Sequence, residues 1–120
     1  MKLYIDGGML TGSAYMSRPW GASAVYGIKD PSYRGLRFID EAPLHEAVEL
    51  AHARGFQVTA HCQGDAATEA LIEAYEAAGR KSPIREARMC ISHGSFQRLD
   101  LVRRAVRAGI VADSQPAWLW

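Results

Sequence analysis

Apolar positions fall into two rhythms that alternate along the chain. Leu44, Ala47, Val48 and Ala51 recur at i, i+3, i+4 and i+7, the buried stripe of a helix. Asp40 fits as the N-cap of that helix, Glu41 suits its first turn, Pro43 is tolerated there, and Gly55 ends it. A second stripe, Ala67, Ala70, Leu71, Ala74 and Ala78, starts after Asp65 as N-cap and stops at Gly79. A third, Leu99, Val102, Ala105 and Val106, closes at Gly109. Between them lie short β-rich runs: Lys2–Ile5, stopped by Asp6-Gly7-Gly8; Phe56–Ala60, leading to His61; Ala87–Ser92, leading to His93; and Ile110–Ala112.

This alternation predicts an α/β fold with about four parallel strands, three helices and right-handed crossovers. Such a set suits a small open sheet or one arc of a (β/α) barrel, which needs about 250 residues to close. Residues 7–40 are too long for a plain connector, since connections beyond about 12–15 residues usually serve as lids or binding loops. Met9, Leu10, Tyr15, Met16 and Trp20 in that stretch would line a pocket or cover the core. A strand at residue 2 and an uncapped Ala117-Trp-Leu-Trp120 read as the limits of a segment. Residues 1–120 are therefore expected to be a single incomplete (β/α)-barrel domain.

Charge narrows the partners. Fourteen basic against 13 acidic residues give a net +1, which supplies no field for nucleic acid or an anionic membrane. Arg103, Arg104 and Arg107 sit on an amphipathic helix with no interleaved aromatics, and read as a solvated face. No charged-then-apolar leader and no apolar run of about 18 residues is present. The two cysteines, Cys62 and Cys90, are read inside predicted parallel strands, as small buried hydrophobes in a reducing cytoplasm.

The chemistry gathers at strand ends. His61 and His93 close successive parallel strands just before turns, so both belong at the carboxyl edge of the sheet, where α/β proteins build their sites. Strands about 4.8 Å apart allow two imidazoles to reach one ion with Zn–N bonds near 2.0–2.1 Å. Asp65 would cap its helix and orient an imidazole or a water as well. Lys2, on the neighbouring strand, is an exposed lysine unless CO2 converts it to a carbamate able to bridge two ions. Asp113 and Gln115-Pro116 follow towards the same edge, while His45 and His52 read as structural residues of the first helix. Phosphate-loop, dinucleotide and Gly-x-Ser-x-Gly motifs do not occur.

Four segments together resemble the amidohydrolase superfamily, in its formamide-deformylase-like branch. They are Lys2-Leu-Tyr-Ile-Asp6-Gly7 with Ala14 and Pro19-Trp20, His61-Cys-Gln-Gly64-Asp65-Ala66, Ile91-Ser-His93-Gly94, and Ile110-Val-Ala-Asp-Ser114-Gln115-Pro116. The resemblance implies the fourth to seventh strands of a distorted barrel. It implies His61 and His93 as metal ligands and Lys2 as a carboxylated bridging ligand; Asp65 and Asp6 are expected behind these ligands or facing the substrate. It also implies one or two divalent ions, zinc by preference, that activate water for attack on an amide-like C–N bond.

The departures are specific. The family's His-x-His pair and its eighth-strand aspartate have no counterpart, and Asp113 does not replace the latter. Ser92 stands where glutamate is usual, and Gly12 where arginine is expected.

The leading expectation is therefore a piece of a metal-dependent amidohydrolase acting on a small amide-like substrate, weak or inactive alone. Its open strand edges would favour a homo-oligomer or a domain swap. An inactive α/β binding or interaction module, or a small zinc-binding protein, fits the same residues.

Overall fold

A computed structural model describes residues 1–115. Strands β1 (Lys2–Tyr4), β2 (Thr59–Cys62), β3 (Cys90–His93) and β4 (Val111–Ser114) form one parallel sheet in that spatial order. Helices α1 (Glu41–Ala53), α2 (Asp65–Lys81) and α3 (Leu99–Ala108) connect β1 to β2, β2 to β3 and β3 to β4. The alternation of apolar stripes and β-rich runs thus becomes three consecutive βαβ crossovers. The four strands make an arc that does not close on itself.

Pleating assigns the two faces of the sheet. Leu3, Ala60, Cys62 and Ile91 point towards the helices, and Ala60 and Cys62 are fully buried there with Leu44, Val48, Leu71 and Ile72. Tyr75 of α2 lies in this layer, its hydroxyl hydrogen shared between the carbonyls of Val58 at 3.2 Å and Cys90 at 3.0 Å. Burial drives the Tyr75 phenol well above its usual range, so it stays a neutral donor. Lys2, Tyr4, Thr59, His61, Ser92 and Asp113 take the opposite face, which carries no helix.

Several boundaries differ from the sequence reading. The strands begin later than their apolar runs: Phe56 is exposed, and pairing starts at Thr59 and at Cys90. Gly79 does not end α2, which continues to Lys81. A Cβ at Gly79 would stand 3.3 Å from Ile84, so this glycine admits Ile84 against the helix rather than stopping it. Asp65 is the first residue of α2 and not its cap. Gly64 holds the N-cap position, because the Tyr15 carbonyl would lie 1.9 Å from any Cβ there.

The α3 stripe is also turned. Leu101 is buried, with Ala105 and Ala108 half-covered beside it, whereas Leu99, Val102 and Val106 are exposed. The larger side chains suggested the wrong inward face, since helical spacing fits Leu101, Ala105 and Ala108 equally well.

Residues 7–40 contain one 3-10 turn, Met9–Thr11, and two isolated bridges, Asp6–Arg37 and Ser23–Ile28. The segment folds back over the carboxyl edge of β1 and β2. Tyr15 packs on the core, Trp20 meets Phe96 edge-on with ring centres 5.6 Å apart, and Leu10 is exposed.

Candidate metal centre

Strand register does not place the two histidines on the same rung. His61 pairs with Ser92, and His93 pairs with Cys62, one residue further on. Strict alternation would send the His93 side chain to the helix face with Cys62. His93 instead adopts φ +76°, in the left-handed region that a non-glycine residue enters at a cost of roughly 1–2 kcal/mol. That turn brings its ring to the open face. The His61 and His93 ring centres lie 4.6 Å apart at 69°, and both residues are half-buried. Convergence at the carboxyl edge therefore holds, but backbone conformation achieves it rather than register.

Each imidazole has a distinguishable partner. His61 Nε2 lies 3.4 Å from the Gly7 carbonyl, and its ring stacks on Tyr4 at 5.3 Å. Because a carbonyl only accepts, that contact puts the proton on Nε2 and leaves the Nδ1 lone pair free. His93 Nδ1 lies 2.7 Å from Gln115 Oε1 on the adjoining chain segment.

Asp6 stands behind His61, with its Oδ1 3.9 Å from Nε2. The carboxylate is fully buried and accepts three backbone N–H groups: Tyr15 at 2.9 Å, Gln63 at 2.9 Å and Gly64 at 2.7 Å. Burial pushes its pKa up, and these amides together with the His61 charge pull it back only part of the way. With its oxygens so engaged, Asp6 is an organiser of the edge. It joins the end of β1, the long loop and the turn after β2.

Asp65 does similar work one turn further out. It accepts the Ser17 amide at 2.7 Å, the Ser17 hydroxyl and its neighbour Ala66 N–H at 3.0 Å, and Arg98 approaches to 3.6 Å. Burial alone would raise its pKa, but the Ser17 and Ala66 bonds and the Arg98 charge hold it below the usual carboxylate range. It ties the long loop to α2 and touches neither imidazole ring in these hydrogen bonds.

Lys2 lies on the open face two residues before Tyr4, the register partner of His61. At about 3.3 Å rise per residue it sits a full pleat below the histidines. Its Nζ donates to Ser92 Oγ at 3.2 Å, and Thr59 Oγ1 meets the same hydroxyl at 3.0 Å, so a polar row crosses three strands. Ser92, where the resemblance expects glutamate, is thus the acceptor that holds Lys2. Among the described residues no three histidine, cysteine, aspartate or glutamate side chains gather as a complete metal site. The cysteines add nothing: burial and the Asp6 charge drive the Cys62 thiol far up, which suits a packed side chain.

Sequence reasoning missed Gln63 and Ser17. Gln63 is almost fully buried; its Oε1 accepts Met9 N–H at 2.8 Å and its carbonyl accepts Phe96 N–H at 2.9 Å. Its only signal was its place between His61 and Asp65. Gly12 also gains a reason. It has φ +66°, and a Cβ would lie 2.8 Å from the Tyr26 side chain, so an arginine there would displace Tyr26. Pro116 and residues 117–120 lie outside the described residues.

Comparison with known proteins gives a consistent result. The family model described as the amidohydrolase family matches residues 1–119. The Bacillus subtilis (strain 168) protein named "Putative amidohydrolase YtcJ" is 29% identical over 117 residues, 97% of this chain and 20% of its own length. The Arabidopsis thaliana protein LONG AFTER FAR-RED 3 is 28% identical over 116 residues, 97% of this chain and 19% of its own. Crystal structures of uncharacterized metal-dependent hydrolases from Pyrococcus furiosus and Pyrococcus horikoshii OT3 superpose with TM-scores of 0.79 and 0.80. Their identities are 25% and 26%, and each comparison covers 99% of this chain and 22% of the other. The chain thus spans about a fifth of the length of the relatives it matches.

Proposed function

We propose that this chain, which belongs to the amidohydrolase family, carries part of the metal-binding face of a hydrolase that cleaves amide-like C–N bonds in small molecules. One observation carries the reading: two imidazoles from successive strands stand 4.6 Å apart at the carboxyl edge, one of them on a strained backbone. The Pyrococcus neighbours described as metal-dependent hydrolases support it. The order of the Lys2, His61, His93 and Ser114-Gln115 segments supports the formamide-deformylase-like branch.

The residues present fit a divalent ion in part. His61 and His93 would supply two nitrogen donors, the donor type zinc takes most readily alongside thiolate. Lys2, once carboxylated and released from Ser92, would supply an anionic oxygen. When bound, such an ion polarises the scissile carbonyl and provides a nucleophile at neutral pH. The chain's own residues do the rest. The Gly7 carbonyl fixes the His61 ring, and Asp6 pins the turns that border it. Without the Lys2 carbamate, two imidazoles fall short of the three protein ligands of a catalytic zinc site, which favours weak or absent turnover by this chain on its own.

Equilibrium dialysis against Zn2+ tests the reading directly. The 120-residue chain should hold zinc, His61→Ala and His93→Ala should each lose it, and His52→Ala should keep it. Retention of zinc by the double His61→Ala/His93→Ala variant, or none in the wild type, would overturn the assignment. Formamide and N-acyl amine hydrolysis, with and without zinc, separates an enzyme from a binding module.

A further inference from the structure

We propose that Gln115 is the positioning residue that fixes His93 in the tautomer able to bind a metal. The proposal rests on the metal-site reading for its purpose, but its structural content stands apart from it. Gln115 lies one residue beyond Ser114, the register partner of His93, and shares the pleat of Asp113 on the open face. The left-handed turn at His93 carries the imidazole to that same face, where Nδ1 and Gln115 Oε1 meet at 2.7 Å.

An amide oxygen has no hydrogen to give, so the proton in this bond sits on Nδ1. A neutral imidazole then carries its lone pair on Nε2. That nitrogen has no hydrogen-bond partner among the described residues. An imidazole left to itself favours the proton on Nε2, which would block the ligating position. Gln115 therefore reverses an intrinsic preference, as the outer partner of a ligating histidine commonly does. The two histidines end up complementary, with His61 offering Nδ1 and His93 offering Nε2.

Long-range 1H–15N correlation spectra of the metal-free 120-residue chain above neutral pH read the tautomers. His93 should show the pattern of a protonated Nδ1. Gln115→Leu should move it to a protonated Nε2, and Gln115→Glu, which keeps an acceptor oxygen, should restore the wild-type pattern. His61 should be unchanged in all three, with identical circular dichroism showing that each is folded.

In a parallel zinc titration, Gln115→Leu should bind at least about tenfold more weakly, and Gln115→Glu should recover most of the loss. A protonated Nε2 at wild-type His93 would overturn the proposal, because the amide would then be donating. An unchanged His93 pattern in Gln115→Leu would overturn it too. A tautomer shift in a chain that binds no zinc would support the positioning role and refute the metal-site reading alone.

Discussion

Replacing Asp6 should do more damage than replacing either histidine. Asp6→Ala removes the acceptor from three backbone amides at 2.7–2.9 Å at the carboxyl edge, those of Gln63 and Gly64 buried and that of Tyr15 partly so. Hydrogen bonds to a charged group are worth about 1.5–3 kcal/mol each, though three on one carboxylate do not add in full. Stranding buried donors brings the expected loss to about 3–5 kcal/mol, a large share of the roughly 5–15 kcal/mol that stabilises a typical domain.

Asp6→Asn makes a sharper comparison. Its single oxygen can occupy the Oδ2 position and keep the Tyr15 and Gly64 amides. Its NH2 then faces the Gln63 N–H, donor against donor. The expected cost is about 1–3 kcal/mol, intermediate between wild type and alanine. Urea unfolding followed by tryptophan fluorescence and far-ultraviolet circular dichroism measures both, with an unchanged slope marking a true stability effect. Equal losses for Asn and Ala would refute the donor-matching argument. Losses under about 1 kcal/mol for both would refute the view that Asp6 holds the three segments together.

Three other expectations follow from the same edge. Gly64→Ala should destabilise by about 3 kcal/mol or more, because its Cβ meets the Tyr15 carbonyl at 1.9 Å; Gly21→Ala, with φ +79° in open space, should cost only about 1 kcal/mol in the same urea assay. Asp65 titrates below its ordinary value of about 3.9 in the folded chain, so its contribution is present above pH 4 and lost as pH falls through the lower folded value. The urea midpoint of wild type should therefore fall more steeply than that of Asp65→Asn below about pH 4, and parallel curves would count against it. With zinc and 13C-bicarbonate, Lys2 should give a carbamate carbon signal that Lys2→Arg lacks, and its absence from wild type would remove Lys2 from the ligand set.

The architecture was legible because helical and β periodicities alternate cleanly between Leu44 and Ala112. Pattern alone could not choose between the two apolar faces of α3, where Leu101 competes with Leu99, Val102 and Val106 at equivalent spacing. The site was legible as two strand-end histidines. Its means of convergence was not, since a positive φ at His93 leaves no mark on a single sequence. Asp65 drew a capping assignment from its place before a helical stripe. The Gly64–Tyr15 contact that moved the cap is set by a loop 48 residues away in sequence from Asp65, and local rules do not see it. The family resemblance located Lys2, but the Ser92 hydroxyl that engages it comes from a strand far along the chain, which no local pattern ties to it.

The left-handed backbone at His93 also bears on how this sequence would drift under different pressures. Glycine adopts that conformation freely, and asparagine more readily than histidine. His93→Gly should thus relieve about 1–2 kcal/mol of backbone strain, offset in part by glycine's greater freedom in the unfolded chain, while deleting a ring from the open face. A library screened only for thermal resistance would enrich glycine at position 93, whereas one screened for retained metal would keep the imidazole. The direction in which that single codon moves is a readable record of which property selection was protecting.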